Sequence, residues 1–168
     1  SGPKSKVTLA FNGESQKIKA DETGYFEGSL KAQKAGGPYT MTVSDSEGVL
    51  TFSDVLVGDV WIAGGQSNME WQLQWNVNDW EAEVKDSNYP QVRVYKVPND
   101  YSSKPLQDIS GGEWLIACDT NSPKFSAVAW FFAKQNHLEK GVPVGVVESH
   151  WGGTPAEAWT SIETLTRT

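Results

Sequence analysis

A short apolar run that ends in two glycines and a serine constrains the fold of this chain more than any other feature. Val60-Trp61-Ile62-Ala63 contains no polar residue, as expected for a strand that is buried on both faces of a parallel sheet. Gly64-Gly65-Gln66-Ser67-Asn68 follows at once, where such a strand would leave the sheet. Because ligands of open α/β sheets bind at the carboxyl ends of the strands, this turn is the first candidate for a functional site.

Residues further along the chain extend the α/β pattern. Residues 125–140 carry apolar side chains at helical spacing, with Ser126 as a plausible N-cap and Gly141 just past the end. Residues 142–147 and 91–95 read as strands, the former of the buried type. Strand, helix and strand in this order predict a right-handed crossover and a parallel sheet.

The first third of the chain has the pattern of a β domain. Five short segments of strand character alternate with turn residues: 6–11, 16–20, 25–30, 39–43 and 49–57. Asn12-Gly13 between the first two is the dipeptide that favours a tight hairpin turn. This spacing predicts a β-sandwich, so we expect a β domain over residues 1–58 and an α/β domain over residues 59–168. Residues 76–119 are polar and loop-rich, and no further element is predicted there.

Composition limits the kinds of ligand. The net charge is −7 and no run of Lys and Arg interrupts the acidic balance, so nucleic acid is not an expected partner. No stretch has the length of a membrane span. No pair of histidines and no cysteine cluster suggests a metal, and we expect no cofactor. The lone Cys118 cannot form an internal disulfide and is expected to be a small buried apolar residue.

From the residues alone, Ser67 has two interpretations. A nucleophile needs an exposed hydroxyl and backbone N–H groups that face the developing oxyanion, and the start of a helix offers such groups. Serine is also a common helix N-cap. The pattern is not the G-x-S-x-G elbow of α/β-hydrolases, because residue 69 is Met.

The residues themselves resemble a known family. Residues 58–70, Gly-Asp-Val-Trp-Ile-Ala-Gly-Gly-Gln-Ser-Asn-Met-Glu, are similar to the first sequence block of the sialate O-acetylesterases, which are SGNH hydrolases. Residues 125–132, 141–147 and 151–159 resemble later parts in the same order, and the segment around Gly36-Gly37-Pro38-Tyr39 resembles the preceding domain. The resemblance implies a partial β-sandwich over residues 1–58. It further implies that residues 59–168 are the first part of a flavodoxin-like α/β/α three-layer domain.

The resemblance also implies a reaction. Ser67 would attack the acetyl carbonyl, and its own N–H would be one oxyanion donor. A glycine N–H in the turn 151–154 would be another, with Gly153 favoured over Gly152, although a plain tight turn would also explain both glycines. The implied substrate is an O-acetylated carbohydrate, either sialic acid or another acetylated glycan. The implied compartment is extracellular, periplasmic or lysosomal.

Two later parts of the family pattern do not occur in the sequence. One is a Gln-Gly-Glu-type block that supplies an oxyanion contact, and the other is an Asp-x-His-Pro block that supplies the base. We therefore expect a fragment whose site is completed by a missing segment or a second polypeptide, with little turnover alone. His150 is a local candidate for the base, but a packed or exposed histidine explains it better. His137 is expected on the solvated surface.

Further side chains near the glycine turns are expected to support the site. Glu70 suits a helix cap, and Glu148 and Glu157 suit structural or substrate-orienting roles. Trp71, Trp75 and Trp80 follow Ser67 and suit a sugar-lined cleft, because flat rings pack on pyranose faces, although core packing also explains them. The alternative function is a non-catalytic carbohydrate-binding or interaction module. A structural β domain with an appended α/β stub is a third interpretation.

Overall fold

The structure, a computed structural model, describes residues 1–167. The chain divides into two compact units, the first spanning Ser1–Gly58 and the second beginning at Asp59. Each unit contains one four-stranded sheet. Among residues 1–167, every helix is too short or too polar to cross a lipid bilayer.

The first unit is an antiparallel sheet. Its strands are β1 (Lys6–Phe11), β2 (Glu14–Lys19), β3 (Gly36–Ser44) and β4 (Val49–Val57), in the order β2-β1-β3-β4. Asn12 and Gly13 have φ angles of 45° and 82°, which the tight turn between β1 and β2 requires. Val7 and Phe11 are buried on one face. The described residues of this unit therefore form one of the two sheets that a complete sandwich needs.

The predicted strand at residues 25–30 is wrong, because this segment pairs with no other strand. A Cβ atom on Gly28 would lie 2.3 Å from Cδ1 of Ile18. The segment thus crosses over a side chain of β2 instead of running beside the backbone of β2. The Tyr25 N–H donates to the carboxylate of Asp21 at 3.0 Å. This amide therefore stabilises the preceding turn and does not form a hydrogen bond between strands.

The second unit contains β5 (Asp59–Gly65), β6 (Tyr89–Lys96), β7 (Trp114–Ala117) and β8 (Val144–His150). Its helices are α1 (Ser67–Glu70), α2 (Trp80–Lys85), α3 (Ala127–Lys140) and α4 (Ile162–Leu165), with 3-10 turns at Ser122–Lys124 and Ala156–Trp159. The strand order is β5-β8-β6-β7. The first three strands run parallel, which confirms the predicted parallel sheet, and β7 is antiparallel to β6.

Helix α3 begins and ends where the sequence predicts. The Ser126 side chain accepts a hydrogen bond from the Ala129 N–H at 3.2 Å. Gly141 has the left-handed φ of 65°, and its N–H donates to the carbonyl of His137 at 2.8 Å. These caps define the two ends of the helix, and β8 begins shortly after the second cap.

Helix α3 covers one face of the second sheet. The buried residues between them are Val92, Val94, Ala129, Trp130, Ala133, Val144 and Val146. The ring of Trp61 also contacts α3, edge-to-face with Phe132 at 5.1 Å. Because side chains alternate along a strand, Val60 and Ile62 of β5 point to the opposite face.

The opposite face of β5 is uncovered. Val60 is 64% exposed and Ile62 is 79% exposed, and β5 is the edge strand of the sheet. The expectation that β5 is buried on both faces is therefore wrong for the part of the chain that the structure describes. Two layers of the three-layer architecture are formed by residues 59–167, and the second helical layer is not.

Cys118 is half-buried just after β7 and not fully enclosed, which corrects the expectation from sequence. Its Sγ lies 3.1 Å from Oγ1 of Thr120. Burial acts to raise the pKa of this thiol, but hydrogen bonds from Thr120 and Asn121 outweigh it and lower the pKa below its ordinary value.

Candidate functional site

Ser67 is exposed at the start of α1, directly beyond the carboxyl end of β5. The N-cap of α1 is Gln66 and not Ser67, so the capping interpretation of Ser67 is wrong. The Gln66 Oε1 accepts the Ser67 hydroxyl at 2.6 Å and the Ser67 N–H at 2.9 Å. One amide oxygen therefore occupies both hydrogen-bond donors of Ser67.

The second glycine turn, residues 151–154, lies beside the first, residues 64–68. Strands β5 and β8 are parallel neighbours, and their register pairs Gly65 with His150. The N–H of Trp151 donates to the carbonyl of Gly65 at 3.1 Å. A Cβ atom on Gly152 would lie 3.4 Å from Oγ of Ser67. The two turns thus meet at one edge of the sheet, next to the Ser67 hydroxyl.

The two glycines of the second turn differ in what their amides do. The Gly152 N–H donates to Oε2 of Glu70 at 2.8 Å, so Glu70 ties α1 to the second turn. Gly153 has a positive φ of 78°, and its N–H has no hydrogen-bond partner within residues 1–167. Of the proposed oxyanion donors, only the Gly153 amide is unengaged in this arrangement.

Glu148 is a buried carboxylate at the end of β8, with a relative exposure of 1%. It accepts the Ser126 N–H at 2.8 Å, lies 3.1 Å from Nε2 of His150, and lies 3.5 Å from Nζ of Lys96. His150 is packed, with 8% of its side chain exposed. Its Nε2 contacts Glu148, and its buried Nδ1 has no partner among the described residues.

The other expected side chains are spread over the unit. Glu157 is exposed in a 3-10 turn. His137 is half-buried with Nδ1 2.7 Å from the carbonyl of Val142, and is not the solvated residue expected from sequence. Trp71 and Trp75 are 48% and 39% exposed and pack edge-to-face at 5.9 Å. Trp80 is half-buried against the core.

A cleft beside the second glycine turn was missed from sequence. It has a volume of about 440 Å³, and its lining includes Tyr101, Ser149, His150, Trp151, Thr154 and Trp159. The indole N–H of Trp159 donates to Oγ1 of Thr154 at 2.7 Å, and that hydroxyl donates to the carbonyl of Trp151 at 2.7 Å. Trp151 and Trp159, on either side of these glycines in the sequence, were the feature from which an aromatic cleft could have been predicted.

A metal site is not evident in the part of the chain that the structure describes. No group of three or more His, Cys, Asp and Glu side chains in residues 1–167 is arranged to hold an ion. The polar groups at this edge of the sheet are the Ser67 hydroxyl, the backbone amides of the two turns, and Glu148 with its partners Ser126, His150 and Lys96.

Comparison with known proteins identifies esterases. No protein-family model matches the chain. The sialate O-acetylesterase of Mus musculus is 32% identical over 147 residues, which covers 81% of this chain and 27% of that protein. The sialate O-acetylesterase of Homo sapiens is 31% identical over 153 residues, covering 81% of this chain and 28% of that protein.

A solved structure is similar over nearly the whole chain. The crystal structure of a carbohydrate acetylesterase from Xanthomonas citri superposes with a TM-score of 0.94 and 44% sequence identity. The match covers 98% of this chain and 38% of the other. The chain therefore spans less than half the length of each of these relatives, and it has the fold of the corresponding part of an acetylesterase.

Proposed function

This chain is a homologue of the sialate O-acetylesterases, and from that premise we propose that it is part of a serine carbohydrate O-acetylesterase. The substrate class is an acetyl ester of sialic acid or of another glycan. The reaction proceeds through an acetyl-enzyme on Ser67, with the N–H groups of Ser67 and Gly153 as oxyanion donors. The N–H of Gly152, the third expected donor, is held by Oε2 of Glu70 and positions the turn instead.

The observation that carries the proposal is the meeting of two turns beside one hydroxyl. Ser67 is exposed, and its Oγ lies 3.4 Å from where Gly152 would carry a Cβ atom. Acyl transfer requires a nucleophilic hydroxyl with backbone N–H groups close to it. The unengaged Gly153 N–H and its left-handed backbone support this glycine as a donor.

In the reaction, the Ser67 oxygen attacks the acetyl carbonyl carbon as its proton passes to a base. The carbonyl oxygen becomes an oxyanion and accepts N–H groups at the glycine turns. The C–O bond to the sugar then breaks, and the sugar hydroxyl leaves with the proton. Water repeats the sequence on the acetyl-enzyme and releases acetate.

Gln66 has to move for this reaction. Its Oε1 accepts both the hydroxyl and the N–H of Ser67, where a substrate oxygen and a base would bind. Gln66 is exposed, so a rotamer change can release both donors at little packing cost. In the resting arrangement Gln66 holds the place of the substrate carbonyl.

We propose that the base comes from outside residues 1–168, on a further segment or a second polypeptide. Among the described residues, the Ser67 hydroxyl has Gln66 as its partner, and His150 is engaged with Glu148. The open edge of β5 and its exposed face, with Val60 and Ile62, lie on the strand that leads to Ser67. A segment that pairs with or covers β5 would reach the site.

The proposal is tested with a fluorophosphonate probe, which reacts only with an activated serine. The native material and a Ser67→Ala variant are treated side by side, and the modified peptide is identified by mass spectrometry. We expect labelling at Ser67 in the native material and none in the variant. Unlabelled Ser67 in material that deacetylates a glycan would refute the role of this serine.

The intact mass of the same native material tests the source of the base. We expect a companion polypeptide or a longer chain in the preparation that reacts with the probe. Labelling at an undiminished rate in pure residues 1–168 would show that no added segment is needed.

A carbohydrate-binding module is the second candidate, because one observation favours it. The aromatic cleft of about 440 Å³ can hold a sugar without a base. Sugar binding with no fluorophosphonate labelling, in native material of confirmed mass, would favour this function over the esterase.

A further inference from the structure

We infer that Glu70 is a positioning residue for the reaction. Its carboxylate holds the second glycine turn in the arrangement in which the Gly153 N–H is available to the oxyanion, and it acts through the backbone of Gly152. The inference rests on the esterase function proposed above for its place in the reaction. The contact itself is tested without the reaction.

Ser67 and Glu70 lie on the same side of α1. The helix consists of Ser67–Glu70, and residues three apart on a helix are neighbours on its surface. The Glu70 N–H donates to the carbonyl of Gln66 at 2.9 Å, and Glu70 is half-buried. One turn of helix thus carries both the nucleophile and a carboxylate that its own backbone keeps in place.

The hydroxyl and the carboxylate both lie against one residue of the second glycine turn, Gly152. The Gly152 N–H donates to Oε2 of Glu70 at 2.8 Å. A Cβ atom on Gly152 would collide with this oxygen and would lie 3.4 Å from Oγ of Ser67. Because a hydrogen bond to a carboxylate is stronger than one between neutral groups, Glu70 is a firm anchor for the turn.

The backbone of the second glycine turn does not by itself fix the direction of the Gly153 N–H. This N–H belongs to the peptide group between Gly152 and Gly153, and glycine is the most conformationally permissive residue. A Cβ atom on Gly153 would have no heavy atom within 4 Å, so this side of the residue faces open space. The orientation of the peptide group therefore depends on the hydrogen bonds of its neighbours.

Two hydrogen bonds connect the second glycine turn to β5 and α1 within the described part of the chain. The Trp151 N–H donates to the carbonyl of Gly65 at 3.1 Å, which continues the pairing of β5 with β8. The bond from Gly152 to Glu70 comes next along the chain and directly precedes the peptide group of Gly153. Its loss would thus release the oxyanion donor and leave the sheet intact.

The acceptor oxygen of Glu70, and not its charge, is what this role requires. A negative charge next to Ser67 repels the oxyanion that forms there. A glutamine side chain also supplies an acceptor oxygen but carries no charge. Glu70→Gln and Glu70→Ala together therefore distinguish a positioning residue from a charged participant.

The experiment measures the rate of fluorophosphonate labelling at Ser67 in the complete enzyme, with the segment that supplies the base present. We expect Glu70→Ala to label about tenfold to a hundredfold more slowly, the effect of about 1 Å of misalignment. Glu70→Gln should restore the rate to within about threefold of the wild type. Equal rates in the wild type and Glu70→Ala, or Glu70→Gln as slow as Glu70→Ala, would overturn the inference.

Glu83→Ala is the control for a general loss of stability. Glu83 on α2 accepts the indole N–H of Trp130 at 2.7 Å and pairs with Lys134 at 2.6 Å, and it belongs to neither glycine turn. Its loss should destabilise the second unit and leave the labelling rate unaltered. Labelling as slow as in Glu70→Ala would show that lowered stability alone slows Ser67, and would overturn the inference.

Hydrogen exchange resolved to single amides tests the contact without the reaction. We expect the Gly152 N–H of the wild type to exchange at least about tenfold more slowly than that of Glu70→Ala. A wild-type Gly152 N–H that exchanges as fast as the Gly153 N–H would overturn the inference, even if Glu70→Ala fails to fold. An unlabelled Ser67 in the wild type would refute the proposed function and with it the catalytic role of Glu70, whereas equal labelling of the wild type and Glu70→Ala refutes this inference alone.

Discussion

At the scale of single residues, Gly152 is the position where the site has least room. A Cβ atom there would lie 2.3 Å from Oε2 of Glu70 and 3.4 Å from Oγ of Ser67. Glu70 can move, because its side chain is flexible, but it would then release the Gly152 N–H that it accepts at 2.8 Å. The bond between Glu70 and Gly152 thus couples the two glycine turns.

We predict that Gly152→Ala slows fluorophosphonate labelling of Ser67 by about tenfold to a hundredfold, because a displacement of about 1 Å at a catalytic edge has an effect of this size. Stability should fall by about 1–3 kcal/mol from the lost charge-assisted hydrogen bond. The rate of fluorophosphonate labelling and the free energy of unfolding in denaturant, measured on the same preparations, test the two predicted effects.

Gly153→Ala is the matched control for Gly152→Ala. No atom lies within 4 Å of a Cβ at Gly153, but its φ of +78° strains an alanine by about 1–2 kcal/mol. It should lower stability without displacing Glu70. Equal labelling rates in the two variants would contradict the role assigned to the Glu70–Gly152 contact.

Glu148 is the buried charge on which the edge of the sheet depends. We predict that Glu148→Ala lowers the free energy of unfolding by about 3 kcal/mol, because it leaves Lys96 and the Ser126 N–H without their buried partner. Glu148→Gln keeps an acceptor for the Ser126 N–H and should cost about 1–2 kcal/mol. Urea denaturation measures both, and a Gln variant as stable as the wild type would argue against the charge pairing.

At the scale of elements, the turn before residue 25 has a pH dependence of known sign. The Asp21 carboxylate accepts the side-chain hydroxyl of Thr23 and its N–H, both at 2.7 Å, and these bonds lower the pKa of Asp21 below its ordinary 3.8. A lowered carboxyl pKa means that the stabilisation is fully present above pH 3.8 and is lost as the pH falls through the lower folded value.

We predict that Thr23→Ala raises the pKa of Asp21 toward 3.8, because it removes the hydroxyl that makes the largest contribution. Carboxyl ¹³C NMR titration of the wild type and the variant measures the change. Thr164→Ala, in the other unit, should leave the Asp21 titration unaltered. An Asp21 pKa that does not differ between wild type and Thr23→Ala would contradict the hydrogen bond as the cause.

The elements that sequence could predict are those whose signals are local. Helix α3 has its caps at Ser126 and Gly141, and the first hairpin turns at Asn12 and Gly13, because capping and turn residues act within a few positions. The strand predicted at residues 25–30 failed for a nonlocal reason, since this segment crosses a side chain of β2. Strand β7 and helix α2 are short and lie in a polar segment, so periodicity could not reveal them.

The candidate site divides in the same way. The pairing of the two glycine turns follows from parallel strands β5 and β8, and sequence could anticipate it. The contact of Glu70 with Gly152 and that of His150 with Glu148 depend on side-chain rotamers at a tertiary junction, which no spacing encodes. The apolar run predicted that Ile62 is buried, whereas its side chain is exposed. An apolar run does not specify which other elements of the fold pack against it.

At the scale of the whole molecule, the second unit presents an apolar face that its own helices do not cover. Val60, Ile62, Trp114 and Ile116 are exposed by 64%, 79%, 45% and 37%. Gly145 lies among them, since a Cβ on it would be 3.1 Å from the Trp114 ring. Contiguous apolar surface of this kind marks an interaction site or an aggregation liability, and the edge of β5 adds unpaired backbone groups to it.

We predict that residues 1–168 alone self-associate at concentrations of about 10–100 μM, and that Ile62→Lys reduces this association, because a charge on the face opposes its burial against another copy. Light scattering and sedimentation velocity measure it. Stability should change by no more than about 0.5 kcal/mol, as for other exposed positions. Ile162→Lys supplies the control, since Ile162 is 65% exposed on α4, outside this face, and should leave association unchanged. A wild-type chain that stays monomeric over this range would show that the face tolerates water, and that covering β5 is not what a completing segment is needed for.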